Sequence, residues 1–272
     1  MSASTGNFSD LRARTLSGVA MAALGVAAVW AGGLVFALVV CALCGAMVWE
    51  LTRMLDADAP FGKAEAAGFT AAVALLVFTL QLAGGWLLIA VAASVGLLAW
   101  RFPRDRAMAA GYLALILFAG VGLIALRGVH GWDWVLWLVL IVIGSDVAGY
   151  FAGRVLGGPK LWPRVSPKKT WSGTVAGWGA AVLIGLVFIP VLDAGAGLIV
   201  VSVLVAMAGQ AGDIAESAIK RHAGVKDSSN LIPGHGGVMD RFDAMIAAAL
   251  AVLVLNESGA LALARGCAGA GC

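Results

Sequence analysis

Apolar runs of about twenty residues, repeated from one end of the chain to the other, constrain this sequence more than any other feature. A helix needs roughly 20 apolar residues to cross a bilayer, and inside hydrocarbon only helices and closed barrels satisfy their own backbone polar groups. Breaking the runs at Gly, Pro and charge gives candidate spans at 16–31, 33–50, 66–82, 85–100, 108–126, 132–152, 172–192, 197–215 and 243–262. With 61% hydrophobic and only 12% charged residues in 272, a soluble single-core globule is excluded. The expectation is an all-α, polytopic transmembrane bundle of about nine spans, one integral membrane domain over residues 1–272. The first two spans are separated only by Ala31, Gly32 and Gly33, and the third and fourth only by Gly84 and Gly85.

Basic residues orient the spans, because cytoplasmic loops retain Lys and Arg. With the N-terminus inside, all 18 Lys and Arg except Arg127 and Arg265 fall on cytoplasmic segments, and the C-terminus lies outside. This matches a bacterial cytoplasmic (inner) membrane protein, and the formal charge of +3 implies no nucleic-acid binding. Arg12 and Arg14 before an apolar stretch imitate a signal peptide, but a second apolar run follows at once, so the first helix is read as uncleaved and residues 1–10 as disordered. Cys41 and Cys44 form a C-x-x-C inside an apolar span without accompanying ligands, which reads as buried thiols. Cys267 and Cys272 lie on a Gly/Ala-rich tail. Asp56 and Asp58 read as a solvated face.

Polar residues gather in the second half. Residues 1–130 carry mainly Leu, Val, Ala and Gly and read as scaffold, whereas 131–262 hold three polar clusters at 145–154, 157–173 and 209–243. An ionisable group at membrane depth is a functional hypothesis by default, which singles out Asp146; Gly149 and Gly153, four apart, would line one face for close packing. Pro159, Pro163 and Pro167 stiffen a basic loop bearing Lys160, Arg164, Lys168 and Lys169. Asp213, Glu216, Ser217 and Lys220 fall at i, i+3, i+4 and i+7 and share one helical face. Burying two carboxylates there unpaired is costly, and a metal ion together with Lys220 relieves that cost.

The densest cluster is Ser217 to Asp243, SAIKRHAGVKDSSNLIPGHGGVMDRFD. It reads as a helix end, a loop turned by Pro233, Gly234, Gly236 and Gly237, and a helix start at Asp240. Glycines let main-chain N–H groups approach an anion, Asp240 and Asp243 share a helix face, and carboxylates beside a basic loop suggest a divalent metal holding a polyphosphate.

This run resembles the signature of the phosphatidate cytidylyltransferases (CDP-diacylglycerol synthases), S-x-aliphatic-K-R-x4-K-D-x-small-x2-aliphatic-P-x-H-G-G-x2-D-R-x-D. Ser229 stands where these enzymes commonly carry Gly, a less comfortable choice if the turn needs a positive φ. The stretch K-L-W-P-R-V-S-P-K-K-T-W-S-G from Lys160 is also similar to the family, with Ser172 where Glu is usual. The resemblance implies transfer of a cytidylyl group from CTP to phosphatidate, giving CDP-diacylglycerol and pyrophosphate, with Mg2+ or another divalent cation as cofactor. It leaves open a second, monovalent cation and a homodimer. By resemblance Asp213 and Asp240 hold the metal and lie close enough to share it, with Asp146 and Asp243 as further ligands or supports. Lys168, Lys169, Lys220, Arg221, Lys226 and Arg241 bind phosphate on CTP or lipid, Lys220 and Lys226 acting with the two aspartates in catalysis. Ser166, Thr170, His235, Gly236 and Gly237 shape the substrate site. A CTP-dependent polyprenol kinase would use similar groups but attack a different phosphorus. A polytopic transporter would spread polar residues along a two-sided path.

Overall fold

The computed structural model describes residues 6–56, 63–79, 96 and 104–264. The helices follow the apolar runs: α1 Gly6–Ala31, α2 Gly33–Leu55, α3 Lys63–Thr79, α4 Arg106–Ala125, α5 Trp132–Val155, α6 Trp171–Phe188, α7 Gly197–His222, α8 Met239–Glu257 and the short α9 Ala260–Ala264. Among the described residues six of these, α1, α2, α4 extended to His130, α5, α6 and α7, are long and apolar enough to cross a membrane. This is a helical membrane protein. The expected span at 85–100 and the tail cysteines Cys267 and Cys272 lie outside the described residues. Residues 6–10, read from sequence as disordered, form the first turns of α1.

The chain divides into two compact units, Met1–Leu117 with His222–Phe242, and Phe118–Arg221 with Asp243–Cys272. In the first, α2 and α3 cross at paired glycines. A Cβ on Gly68 would stand 2.5 Å from the carbonyl oxygen of Gly45, and one on Gly45 2.8 Å from that of Gly68. Backbones this close are what small residues permit where no hydrophobic effect drives helices together. Trp49 Nε1 donates to Glu65 Oε1 at 3.1 Å across the same pair.

In the second unit α5 and α6 meet in the same way. A Cβ on Gly173 would stand 2.5 Å from the Gly149 carbonyl oxygen and one on Gly153 2.7 Å from Thr170 Oγ1, so the four-residue glycine spacing does line the packed face. Several polar groups inside this unit pair with one another, as a low-dielectric interior favours. Trp137 Nε1 donates to Ser202 Oγ at 3.0 Å, Trp178 Nε1 to Gln210 Oε1 at 2.9 Å, and Gln210 Nε2 to the Thr174 carbonyl at 3.2 Å.

The basic loop between α5 and α6 departs from the all-helical expectation. Its prolines forbid a helix, and it closes instead as an antiparallel pair, β1 Lys160–Trp162 and β2 Ser166–Thr170, with Lys160 opposite Thr170 and Trp162 opposite Ser166. Thr170 ends the hairpin and caps α6, its Oγ1 accepting from the Gly173 amide at 3.2 Å. Ser172, at the position where the resemblance leads one to expect Glu, donates to the Gly157 carbonyl and lies 3.0 Å from Thr170 Oγ1, fastening the hairpin's base.

Candidate active site

The second unit gathers an acidic cluster. Gly212 on α7 lets α8 come so close that a Cβ there would stand 2.6 Å from the Asp243 carbonyl oxygen. One turn of α7 then presents Asp213 and Glu216 beside Asp243, the three offering carboxylate oxygens within 4.8 Å of one another. Asp146 on α5 lies within electrostatic range of Asp213, and Asp243 within range of both. Among the described residues, Lys169 and Lys220 pair with two of these carboxylates. Lys169 Nζ, delivered by β2, is 2.5 Å from Asp213 Oδ2 and 3.3 Å from the Gln210 carbonyl; Lys220 Nζ is 2.6 Å from Glu216 Oε2, whose side chain is 0% exposed. Ser217 Oγ donates to Asp213 Oδ1 at 3.4 Å. Carboxylates this close repel one another, and a divalent cation among Asp213, Glu216 and Asp243 would relieve that repulsion. The donor set is all oxygen, which suits a hard cation such as Mg2+ rather than zinc, whose usual ligands include N or S.

The first unit holds the basic, Gly-rich loop, and here the structure shows what the sequence did not suggest. The amides expected to face an anion do so, but the anions are the protein's own carboxylates. Gly237 N donates to Asp240 Oδ2 at 2.8 Å, Val238 N to Glu50 Oε1 at 2.8 Å and Met239 N to Glu50 Oε2 at 2.7 Å. Asp240 Oδ2 also accepts from Ser228 N at 2.9 Å and Ser228 Oγ at 3.0 Å, and Ser229 Oγ donates to Glu50 Oε1 at 2.6 Å. The consecutive glycines are room for these groups. A Cβ on Gly236 would stand 2.8 Å from Asp240 Oδ2, and one on Gly237 would collide with Ser228 Oγ and lie 2.5 Å from Glu50 Oε1. Gly234 and Gly236 take φ of 74° and 86°, while Ser229 does not have a positive φ, so the residue standing in for Gly is unstrained there.

The loop is also fixed at its tip. His235 Nδ1 lies 2.8 Å from Ser17 Oγ on α1, Ser17 Oγ is 2.9 Å from the Pro233 carbonyl, and Arg241 Nε donates to the His235 carbonyl at 2.9 Å. Lys168, Arg221, Lys226 and Arg241 are exposed, and Ser166 is partly so. Of the residues singled out from sequence, the second unit thus collects Asp146, Lys169, Asp213, Lys220 and Asp243, and the first collects Gly236, Gly237, His235, Asp240 and Arg241.

Sequence reasoning missed Glu50 altogether and placed Glu216 on the Asp213 face without assigning it to the metal. The rule that singled out Asp146, an ionisable residue in an apolar span, applies equally to Glu50 at the end of the run 33–50.

Comparison with known proteins agrees with the signature. The model of the cytidylyltransferase family matches residues 12–258. The phosphatidate cytidylyltransferase of Brucella suis biovar 1 is 37% identical over 247 residues, 89% of this chain and 91% of that protein. That of Brucella abortus biovar 1 is 36% identical over the same length. That of Staphylococcus saprophyticus subsp. saprophyticus is 40% identical over 120 residues, 43% of this chain and 46% of its own.

Proposed function

Because this chain belongs to the cytidylyltransferase family, we infer that it transfers the cytidylyl group of CTP to phosphatidate, releasing pyrophosphate and giving CDP-diacylglycerol. The observation that carries this reading is a family match running almost the whole length, with relatives of that activity covered to 91%. In the reaction a phosphatidate oxygen attacks the α-phosphorus of CTP and the bond to the β-phosphate oxygen breaks, pyrophosphate taking the electron pair. Phosphatidate is a phosphomonoester already ionised near neutral pH, so the attacking oxygen needs no general base. What the protein must do is hold two polyanions together and spread the charge that develops.

The acidic cluster supports a divalent cation held by Asp213, Glu216 and Asp243, with Asp146 within electrostatic range. Bound there, Mg2+ would offset phosphate charge and polarise the P–O bonds. Asp240, expected from the resemblance to share the ion, has Oδ2 engaged in three hydrogen bonds of the loop, so we give it the ordering of that loop as well. Lys169 and Lys220 sit on the carboxylates and can turn to a phosphate that draws near, while the exposed Lys168, Arg221, Lys226 and Arg241 supply the attraction that recruits the two anions.

Purified protein in detergent should convert labelled CTP and phosphatidate to CDP-diacylglycerol with magnesium and stop when it is chelated. No product with any divalent cation would sink the reading. The proposal includes a bacterial inner-membrane location with the active site cytoplasmic. In a background lacking the four cysteines, Ser166→Cys should react with an impermeant thiol reagent only from the cytoplasmic side and Asp193→Cys only from outside; the reverse pattern would overturn the orientation.

A further inference from the structure

We propose that Glu50 is a positioning residue for this reaction, fixing through its carboxylate the place where α8 begins and with it the loop residues His235, Asp240 and Arg241; the inference rests on the cytidylyl-transfer reading above. Glu50 is 0% exposed and lies in the penultimate turn of α2. Its two oxygens face four donors, all from the segment 228–239: Val238 N and Ser229 Oγ at Oε1, and at Oε2 Met239 N and, at 3.2 Å, Ser228 Oγ, whose single proton is shared with Asp240 Oδ2. Two of the donors are amides at the N-terminus of α8, where a negative charge also meets the positive end of the helix dipole.

A buried carboxylate is a poor device for stability alone, because desolvating it costs several kcal/mol that a well-packed apolar side chain never incurs. What it supplies is definition. A carboxylate accepts only, so four converging donors fix both oxygens, and no neutral isostere reproduces the arrangement: Gln would turn an NH2 group toward donors. Ser228 Oγ lies between Glu50 Oε2 and Asp240 Oδ2, 3.2 and 3.0 Å away, and so links the two carboxylates. Arg241, next in chain, reaches the His235 carbonyl. A displaced Glu50 therefore displaces Asp240, Arg241 and the loop tip as one body.

The test uses full-length protein in detergent and compares Glu50→Gln, Glu50→Asp and Ser229→Ala by thermal midpoint, by kcat and KM for CTP, and by hydrogen exchange of the amides at 237–239. Glu50→Gln is expected to lower kcat/KM for CTP by on the order of a hundredfold, the scale of a mispositioned site, in the fraction that remains folded. Glu50→Asp, which keeps the charge, should recover part of it. Ser229 is partly exposed, so its variant folds; it should lose severalfold in kcat/KM with an unchanged midpoint. A residue of stability alone would lower the midpoint and leave the constants of the folded protein alone, and that result for Ser229→Ala or Glu50→Gln overturns the proposal. Should the unsubstituted protein make no CDP-diacylglycerol, the reaction reading fails by itself. Exchange then decides the positioning: at least tenfold faster exchange at 237–239 in Glu50→Gln, with α2 unaffected, supports it, and unchanged exchange ends it.

Discussion

Asp213→Asn is expected to lower turnover by on the order of a hundredfold or more at saturating magnesium, and to raise the magnesium concentration needed for half-maximal rate. The substitution keeps size and a hydrogen-bond acceptor for Ser217 but removes the charge that faces Lys169 and adjoins Glu216 and Asp243. Folding should survive. Lys169 is 22% exposed and can swing toward water when its partner is neutralised, and one negative charge fewer relieves the repulsion among the carboxylates when no ion is bound. Rate, magnesium dependence and thermal midpoint measured together separate the alternatives. A folded variant with near-normal rate would remove Asp213 from the site, whereas a large fall in midpoint with residual activity in the folded fraction would make the cluster a structural ion-pair network.

The second large effect is expected from one methyl group. Gly237→Ala puts a Cβ onto Ser228 Oγ and 2.5 Å from Glu50 Oε1. Ser228 is 6% exposed and Glu50 fully buried, and the two are tied to each other and to α8, so either can move aside only by breaking those hydrogen bonds. Overpacking and the broken hydrogen bonds to Glu50 together should cost about 3 kcal/mol or more, read as a lowered thermal midpoint with loss of CDP-diacylglycerol synthesis. Gly224→Ala is the contrasting control, because Gly237 has no positive φ and its substitution tests crowding alone. Gly224 has a φ of 71° but nothing within 4 Å of the added Cβ, so its substitution should cost only the strain of the left-handed backbone, about 1 kcal/mol. An effect of Gly237→Ala no larger than that of Gly224→Ala would mean that the crowding around Glu50 is relieved at little cost.

Much of this protein is legible in its sequence because lipid imposes few solutions. The starts of α2, α5, α6 and α7 fall within a residue of the expected runs; α2, α5 and α7 overshoot on the C-terminal side, where polar residues such as Glu216 and Lys220 continue the helix beyond the apolar stretch, whereas α6 stops at Phe188, short of the expected 192. The Asp213 face was readable from helical spacing, and the basic hairpin's composition was readable although its strand pairing was not, because prolines exclude helix without selecting a strand register. The glycine loop holds partners that its composition does not name. Glycine beside exposed amides signals that an anion approaches, yet composition does not say whose anion it is. Two oxygens of Glu50, brought from 188 residues away, take the amides of Val238 and Met239 that follow the glycines. A single Glu at the end of an apolar run gives no hint of such partners, since they are specified only by tertiary contact.

The long interval between Glu50 and its donors also has a consequence in time. The helix α2 is made early, whereas Ser228 lies 178 residues further along. At ribosomal rates of about 5–20 residues per second, roughly ten to forty seconds separate them. Throughout that interval Glu50 has none of these four donors, and a carboxylate in a spanning helix carries a standing insertion cost of up to about 3 kcal/mol at mid-membrane, less toward its ends. The final seating of α2 is therefore a late event of synthesis, completed when the chain that emerges last from this half of the molecule returns to claim a charge laid down near the beginning.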